Sequence, residues 1–343
     1  MGCLSVGTPD AAHSLFMKGS TTAMTPLSQA SSTSETGSVP AATWRARYGR
    51  AALPYLLILP TFLFIATFTL WPSFSAIINS TIKPAPTVRQ QPRFVGLQNY
   101  IDLFDSNKDI GQTFPQVLRN TLVFVAVTVP ISIVLAFVLA LMLNRKMRAI
   151  GFFRFAFFYP VLMPLIGAAS IFAFIYADNI GLANTVLRSL GMNTPPKWIG
   201  DPFWTPLAIM IVALWKQTGF YMILYLAGLQ ALPGDVYEAA DLDGATWWVK
   251  IRRLTIPLMS GTTVFVLTTA AANAFQMVDQ LYALGEGAPA DRSNLILYYI
   301  YQKYNEPANQ GYVNAITVIL LLMLLSVTIF NLRVIDRRAY YEN

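Results

Sequence analysis

Residues 121–144, TLVFVAVTVPISIVLAFVLALMLN, carry no charged side chain, and Arg145 and Lys146 follow at once. A helix crosses a bilayer in roughly 20 apolar residues, so a run of this length demands a membrane. Comparable runs recur along the chain, with predicted spans near 51–80, 120–144, 152–177, 205–229, 256–284 and 311–332. Composition agrees, because charged residues make up only 12% where soluble domains carry roughly a quarter. The expectation is an all-α integral membrane protein of about six transmembrane helices. Its transmembrane domain should occupy 44–343, behind a disordered tail over 1–43 that is rich in Ser, Thr, Ala and Gly and lacks apolar periodicity.

Charge placement sets the expected topology. Short basic groups (Arg45, Arg47 and Arg50; Arg145, Lys146 and Arg148; Lys250, Arg252 and Arg253; Arg333, Arg337 and Arg338) recur after every second apolar run. About 15 of the 24 Lys and Arg fall on that side, which places both termini in the cytoplasm. A net charge of +7 spread in this way excludes the concentrated basic face of a nucleic-acid binder. The single cysteine and single histidine, Cys3 and His13, both lie in the tail. Disulfide, metal and Ser-His-Asp chemistry therefore lack parts in the apolar body, and no metal or cofactor is expected on this chain.

The most informative stretch is the loop 230–255, which ends at Ile256 and Pro257. Pro233 suits a first helical turn, and Asp235 and Glu238 follow within the positive end of the helix dipole. Val236, Ala239 and Ala240 give a small apolar face, Asp243 and Gly244 permit a turn, and Trp247–Leu254 resumes helix. Small residues beside one fixed carboxylate suit docking into a groove on another protein.

The pattern Glu238-Ala239-Ala240, Gly244 and Ile256-Pro257 resembles the EAA signature in the membrane subunits of binding-protein-dependent ABC importers. The resemblance extends through Trp215-Lys216, Gly219, Ala227-Gly228-Leu229-Gln230, Asp243-Gly244-Ala245, and Phe275 with Asp279. Upstream, Phe94-Val95-Gly96-Leu97 with Asn99-Tyr100 is similar to a segment of carbohydrate-uptake permeases of the maltose type. One departure is Gly285-Glu286-Gly287-Ala288-Pro289, where the family often has T-x-G-G-P. The resemblance implies a type I ABC importer permease fold with a cytoplasmic EAA coupling loop, in a bacterial cytoplasmic membrane. It implies ATPase coupling by Glu238, Ala239, Ala240, Asp243, Gly244, Ile256 and Pro257. It also implies three kinds of partner: a second, non-identical permease, a cytoplasmic ATPase dimer and an external solute-binding protein. No Walker motif is present, so the chain is not an enzyme, and ATP and Mg belong to the ATPase.

Intramembrane polar residues mark the candidate substrate path. Lys216 lies within an apolar span and is a functional candidate, with snorkelling or pairing with Asp279 as alternatives. Asn273, Gln276 and Asp279 recur at three-residue spacing, which predicts one shared helical face lining a cavity or bonding to a neighbouring helix. Tyr221 and Phe275 are candidates to stack on sugar rings, against a plain packing role. Because Lys216 is the one obvious cation for the cavity, a neutral sugar is favoured over glycerol 3-phosphate or another polyol phosphate. A self-sufficient secondary transporter would call for acid relays or repeats, for which Asp279 is thin support.

Overall fold

The computed structural model describes residues 44–85, 91–145, 147–285, 287–288, 291–331 and 333. The expectations for the tail 1–43, for Arg337 and Arg338, and for Glu286 and Pro289 lie outside the described residues. The chain divides into two units, Met1–Phe62 and Leu63–Asn343. In the first, the described residues belong to helix α1 (Trp44–Ile65), which carries Pro54 and Pro60.

The second unit is also helical. It begins with α2 (Trp71–Asn79), a two-residue antiparallel pairing of Ile82–Lys83 with Arg93–Phe94, and α3 (Gln98–Asp102). Next come α4 (Asp109–Leu143), α5 (Ile150–Leu162), α6 (Leu165–Ile175), α7 (Leu182–Ser189) and α8 (Trp204–Ala231). After them follow α9 (Gly234–Leu242), α10 (Trp247–Lys250), α11 (Ile256–Leu258) and α12 (Ser260–Phe275). The unit closes with α13 (Asp279–Ala283), α14 (Ile296–Tyr304) and α15 (Gln310–Phe330). Among the described residues, four helical stretches are long and apolar enough to cross a membrane, and the number is six when each of two bent pairs counts as one span.

Several helix boundaries depart from the apolar runs, and the fifth predicted span is bent by 67° between Leu258 and Ser260. α4 begins at Asp109 rather than near 120, because a helix continues into polar surroundings once its apolar part is anchored. The third predicted span is broken at Met163 and Pro164, where α5 and α6 meet at 100°. Proline has no N–H to extend α5 and disfavours helical backbone in the residue before it. The fifth ends at Phe275, not Leu284, and the chain turns through 276–278 so that α13 packs on α6 with Leu281 and Leu284 fully buried.

Two short π-helical segments, Ala66–Leu70 and Ile251–Thr255, share one cause. Each is followed by a residue and then a proline, Trp71-Pro72 and Ile256-Pro257. The N–H before each proline reaches back five residues, Trp71 to Ala66 and Ile256 to Ile251. Since the proline cannot supply the next bond, the ladder widens there.

In lipid, helices associate through close packing more than through expulsion of water, so small residues occupy the contacts. Ala136 and Ala140 of α4, Ala208 and Ala213 of α8, and Ala270 of α12 are all buried in one core. Gly219 of α8 is the extreme case: a Cβ there would lie 2.0 Å from the carbonyl oxygen of Phe157 in α5. A second core joins Phe114 of α4, Phe275 of α12, Tyr299 of α14 and Ile316 of α15. Beside it, the Asp102 carboxylate accepts bonds from Gln98 Nε2 at 2.7 Å and the Tyr312 hydroxyl at 2.9 Å, tying α3 to α15. Burial pushes the Asp102 pKa up, but those bonds and the nearby Lys108 and Lys83 outweigh it and hold the carboxyl below its ordinary value.

Candidate functional site: an exposed loop helix and a closed polar seam

α9 starts cleanly because Pro233 caps it with φ −64° and Asp235 stands in its first turn, where the dipole favours a carboxylate. Its end is a Schellman turn. The Gly244 N–H bonds Asp241 O at 3.0 Å, the Ala245 N–H bonds Ala240 O at 2.9 Å, and Gly244 takes φ +71°. Nothing lies within 4 Å of where a Gly244 Cβ would sit, so the glycine answers to backbone conformation and not to crowding.

One face of α9 is tied back to the following segment. The Tyr237 hydroxyl shares a hydrogen bond with Thr255 Oγ1 at 3.0 Å, and Lys250 Nζ meets Asp241 Oδ1 at 2.5 Å. Tyr237 and Asp241 are four residues apart and therefore share that face. Asp235, Glu238, Ala239 and Leu242 are exposed, with Leu242 90% accessible, and Ala240 is half-buried. Glu238 makes no hydrogen bond or ion pair among the described residues. Asp243 and Gly244 are exposed at the turn, and Ile256 and Pro257 are exposed where α11 begins. Trp248 adds further exposed apolar surface, 72% accessible. The loop thus presents a carboxylate among small and apolar side chains on a helix whose other face is fixed. The fixing pair, Tyr237 and Asp241, was not singled out from sequence, although their four-residue spacing is a visible signal.

The six path candidates separate on inspection. Lys216 is nearly buried, and its ammonium donates to the carbonyls of Pro160 at 3.0 Å, Val161 at 3.1 Å and Met163 at 2.5 Å. The Pro160 carbonyl also accepts the Met163 N–H at 3.3 Å, while those of Val161 and Met163 lie at the break where α5 offers no further helical N–H, and a cation suits a helix C-terminus. No ion pair with Asp279 forms within 4.0 Å. Phe275 is buried in the second core, packed by side chains. Asn273 Nδ2 donates to the buried Tyr221 hydroxyl at 3.2 Å. Gln276 is the residue that ends α12, and Asp279 opens α13. Asn273, Gln276 and Asp279 therefore do not share a helical face, which corrects the three-residue periodicity. The intervening turn carries no proline or glycine to announce it.

Around Tyr221 the helices α4, α8 and α12 converge on a gap of about 10 Å³ lined by Thr128, Ser132, Gln217, Tyr221 and Met277. Such a space admits about one water molecule, so it leaves no room for a sugar between these helices. Thr128, Ser132 and Gln217 were missed from sequence, where isolated hydroxyls in apolar runs usually satisfy their own helix. Thr128 and Ser132 also do so here, bonding Phe124 O and Val129 O.

Comparison with known proteins places this arrangement. Residues 114–340 match the family described as binding-protein-dependent transport system inner membrane component. The chain is 32% identical over 292 residues to the trehalose/maltose transport system permease protein MalF of Thermococcus litoralis, covering 85% of this chain and 96% of that one. It is 34% identical over 252 residues to the lactose transport system permease protein LacF of Rhizobium radiobacter, covering 72% and 81%. A chain in the crystal structure of a bacterial ABC transporter involved in the import of the acidic polysaccharide alginate superposes with TM-score 0.74 at 21% identity, covering 86% and 98%.

Proposed function

Because the chain belongs to the inner membrane components of binding-protein-dependent transport systems, we propose that it is the permease subunit through which an ABC importer passes a sugar or oligosaccharide. It pairs with a second, non-identical permease. An external binding protein delivers the substrate, and a cytoplasmic ATPase dimer supplies the work using ATP and Mg. Both termini and α9 face the cytoplasm, in keeping with the basic groups that flank the spans.

The observation that carries this reading is the free face of α9. Its backbone is fixed at both ends and its inner face is bonded, yet Glu238, Ala239 and Leu242 stay exposed. Such a face suits a groove on a second protein, with small residues permitting close approach and the carboxylate setting orientation. Movement of the ATPase pair would pull on α9, and the bonds from Tyr237 and Asp241 would pass that pull to the segment leading into α12. The closed seam at Tyr221 is then the constriction that must open for passage.

The relatives carry names of neutral disaccharide systems and of an acidic polysaccharide system, so the charge of the substrate must be argued from this chain itself. The proposal is tested by tagging the chain, solubilising native membranes gently and identifying what co-purifies after crosslinking. An ATPase and a second permease should be recovered, and the ATPase should be lost with Glu238→Lys. Recovery of the chain alone would move the reading to a self-sufficient transporter.

A further inference from the structure

A second, larger space lies at the ends of α4 and α8 remote from α9. It is a cavity of about 870 Å³ walled by α4, the start of α8 and the segment 292–295. That volume falls within the range of small-molecule sites, and it is far larger than the gap at Tyr221. Its lining combines apolar and aromatic residues, among them Phe124, Phe203, Leu207 and Met210, with the polar Gln112, Arg119, Asn120 and Arg292.

The cations of the lining have no ion-pair partner within it. Arg119 and Arg292 are exposed, no Asp or Glu lines the cavity, and neither guanidinium has an ion pair or hydrogen bond among the described residues. The adjacent acid makes no ion pair with Arg292. Asp291 lines a different cavity, and its Oδ1 is taken by Asn294 Nδ2 at 2.9 Å. Two arginines lining one pocket that holds no acid favour an anion there, and a guanidinium fork matches a carboxylate or phosphate in two bonds.

The wall that presents Arg292 is held in place. Asn120 Nδ2 donates to Asp291 O at 2.7 Å and Asn294 O at 3.2 Å, and Thr121 Oγ1 accepts the Ile296 N–H at 2.9 Å. Asp291 is one of two non-glycine residues with positive φ, at +57°, among the described residues. Aspartate adopts this left-handed conformation more readily than most residues, and here the bonds from Asn120 hold the residue before Arg292 in place.

We propose that this cavity binds the carboxylate or phosphate of an anionic saccharide, with Arg119 and Arg292 on the anion and Phe124 and Phe203 against the sugar ring. This rests on the permease reading, and it replaces the preference for a neutral sugar. That preference depended on Lys216 as the one available cation, whereas Lys216 is occupied by three carbonyls.

The test uses the complex co-purified with this chain, in phosphatidylcholine nanodiscs. Equilibrium dialysis compares glucuronic acid, a glucuronate-ended disaccharide and glucose 6-phosphate with their uncharged counterparts. At least one anionic probe should bind tenfold or more tightly than its neutral counterpart. The preference should shrink below twofold in Arg119→Gln/Arg292→Gln, return in part in Arg119→Lys/Arg292→Lys, and weaken as salt is raised. The melting temperature of each variant verifies that it is folded. Equal binding of charged and neutral probes, absence of binding by every anionic probe, or a preference that survives the double substitution would overturn the proposal. Nanodiscs containing phosphatidylglycerol separate the two sources of anion. If the unaltered complex retains that lipid, the double variant does not, and no sugar preference is seen, the site belongs to a lipid headgroup and the saccharide proposal falls. ATP hydrolysis by the unaltered complex reports separately on the permease reading.

Discussion

Gly219 and Gly244 both stand in the motif stretches of the sequence, yet they answer to opposite demands. A side chain at Gly219 would run into the backbone of α5, while one at Gly244 would meet open space and suffer only from a φ of +71°. The same contrast separates the regions around them. Near Gly219, Lys216 and Tyr221 are buried and already bonded to protein, whereas near Gly244 the side chains Glu238, Ala239 and Leu242 wait for something outside the chain. Substitutions at the buried residues should act on stability, and substitutions at Glu238, Ala239 and Leu242 on transport alone.

The sharpest break would come at Gly219. Gly219→Leu should cost ~3 kcal/mol or more, the upper end of overpacking penalties, because the obstacle is backbone. The check is the yield of monodisperse protein in detergent, and a normal yield would erase the contrast. Next in size, Lys216→Met leaves the carbonyls at the end of α5 without their donor and should lose ~1–3 kcal/mol in thermal unfolding. A substrate-contact role would instead leave the melting temperature unchanged and reduce uptake. Gly244→Val should lower stability in thermal unfolding by about 1–2 kcal/mol through its left-handed backbone, less than Gly219→Leu, even though the space around it is open.

A smaller effect is expected at Asp102. Its carboxyl is held below the ordinary value of 3.8, so its contribution is present above that value and is lost as pH falls through the lower folded value. Melting temperature followed from pH 6 to pH 3 should therefore drop, and Asp102→Asn should flatten part of the drop. The smallest effect belongs to the exposed Lys250–Asp241 pair, where Lys250→Ala should shift stability by less than ~1 kcal/mol. Uptake should fall further than that shift implies, since the pair fixes the inner face of α9.

Legibility follows the same division. Spans were readable because apolar length is a direct requirement of the bilayer, and α9 was readable because Pro233, Asp235 and Gly244 are local signals for where a helix starts and stops. The bend at Pro164 had a signal in the proline, which an unbroken apolar run concealed. The turn at 276–278 had none, since it is fixed by burial of Leu281 and Leu284 against other helices. The fates of Lys216 and Phe275 were likewise hidden. The partners of Lys216 are backbone carbonyls more than fifty residues away, and those of Phe275 include side chains on α14 and α15. The cavity with Arg119 and Arg292 joins residues far apart in the chain, which the bonds of Asn120 and Thr121 to the segment 291–296 bring together.

The most direct test is to measure uptake and thermal stability together for Glu238→Lys. If α9 is the handle by which an ATPase drives this permease, uptake should vanish while the melting temperature stays within a degree or two of the unaltered protein. Uptake that persists with Glu238→Lys in the folded protein would contradict that role for α9.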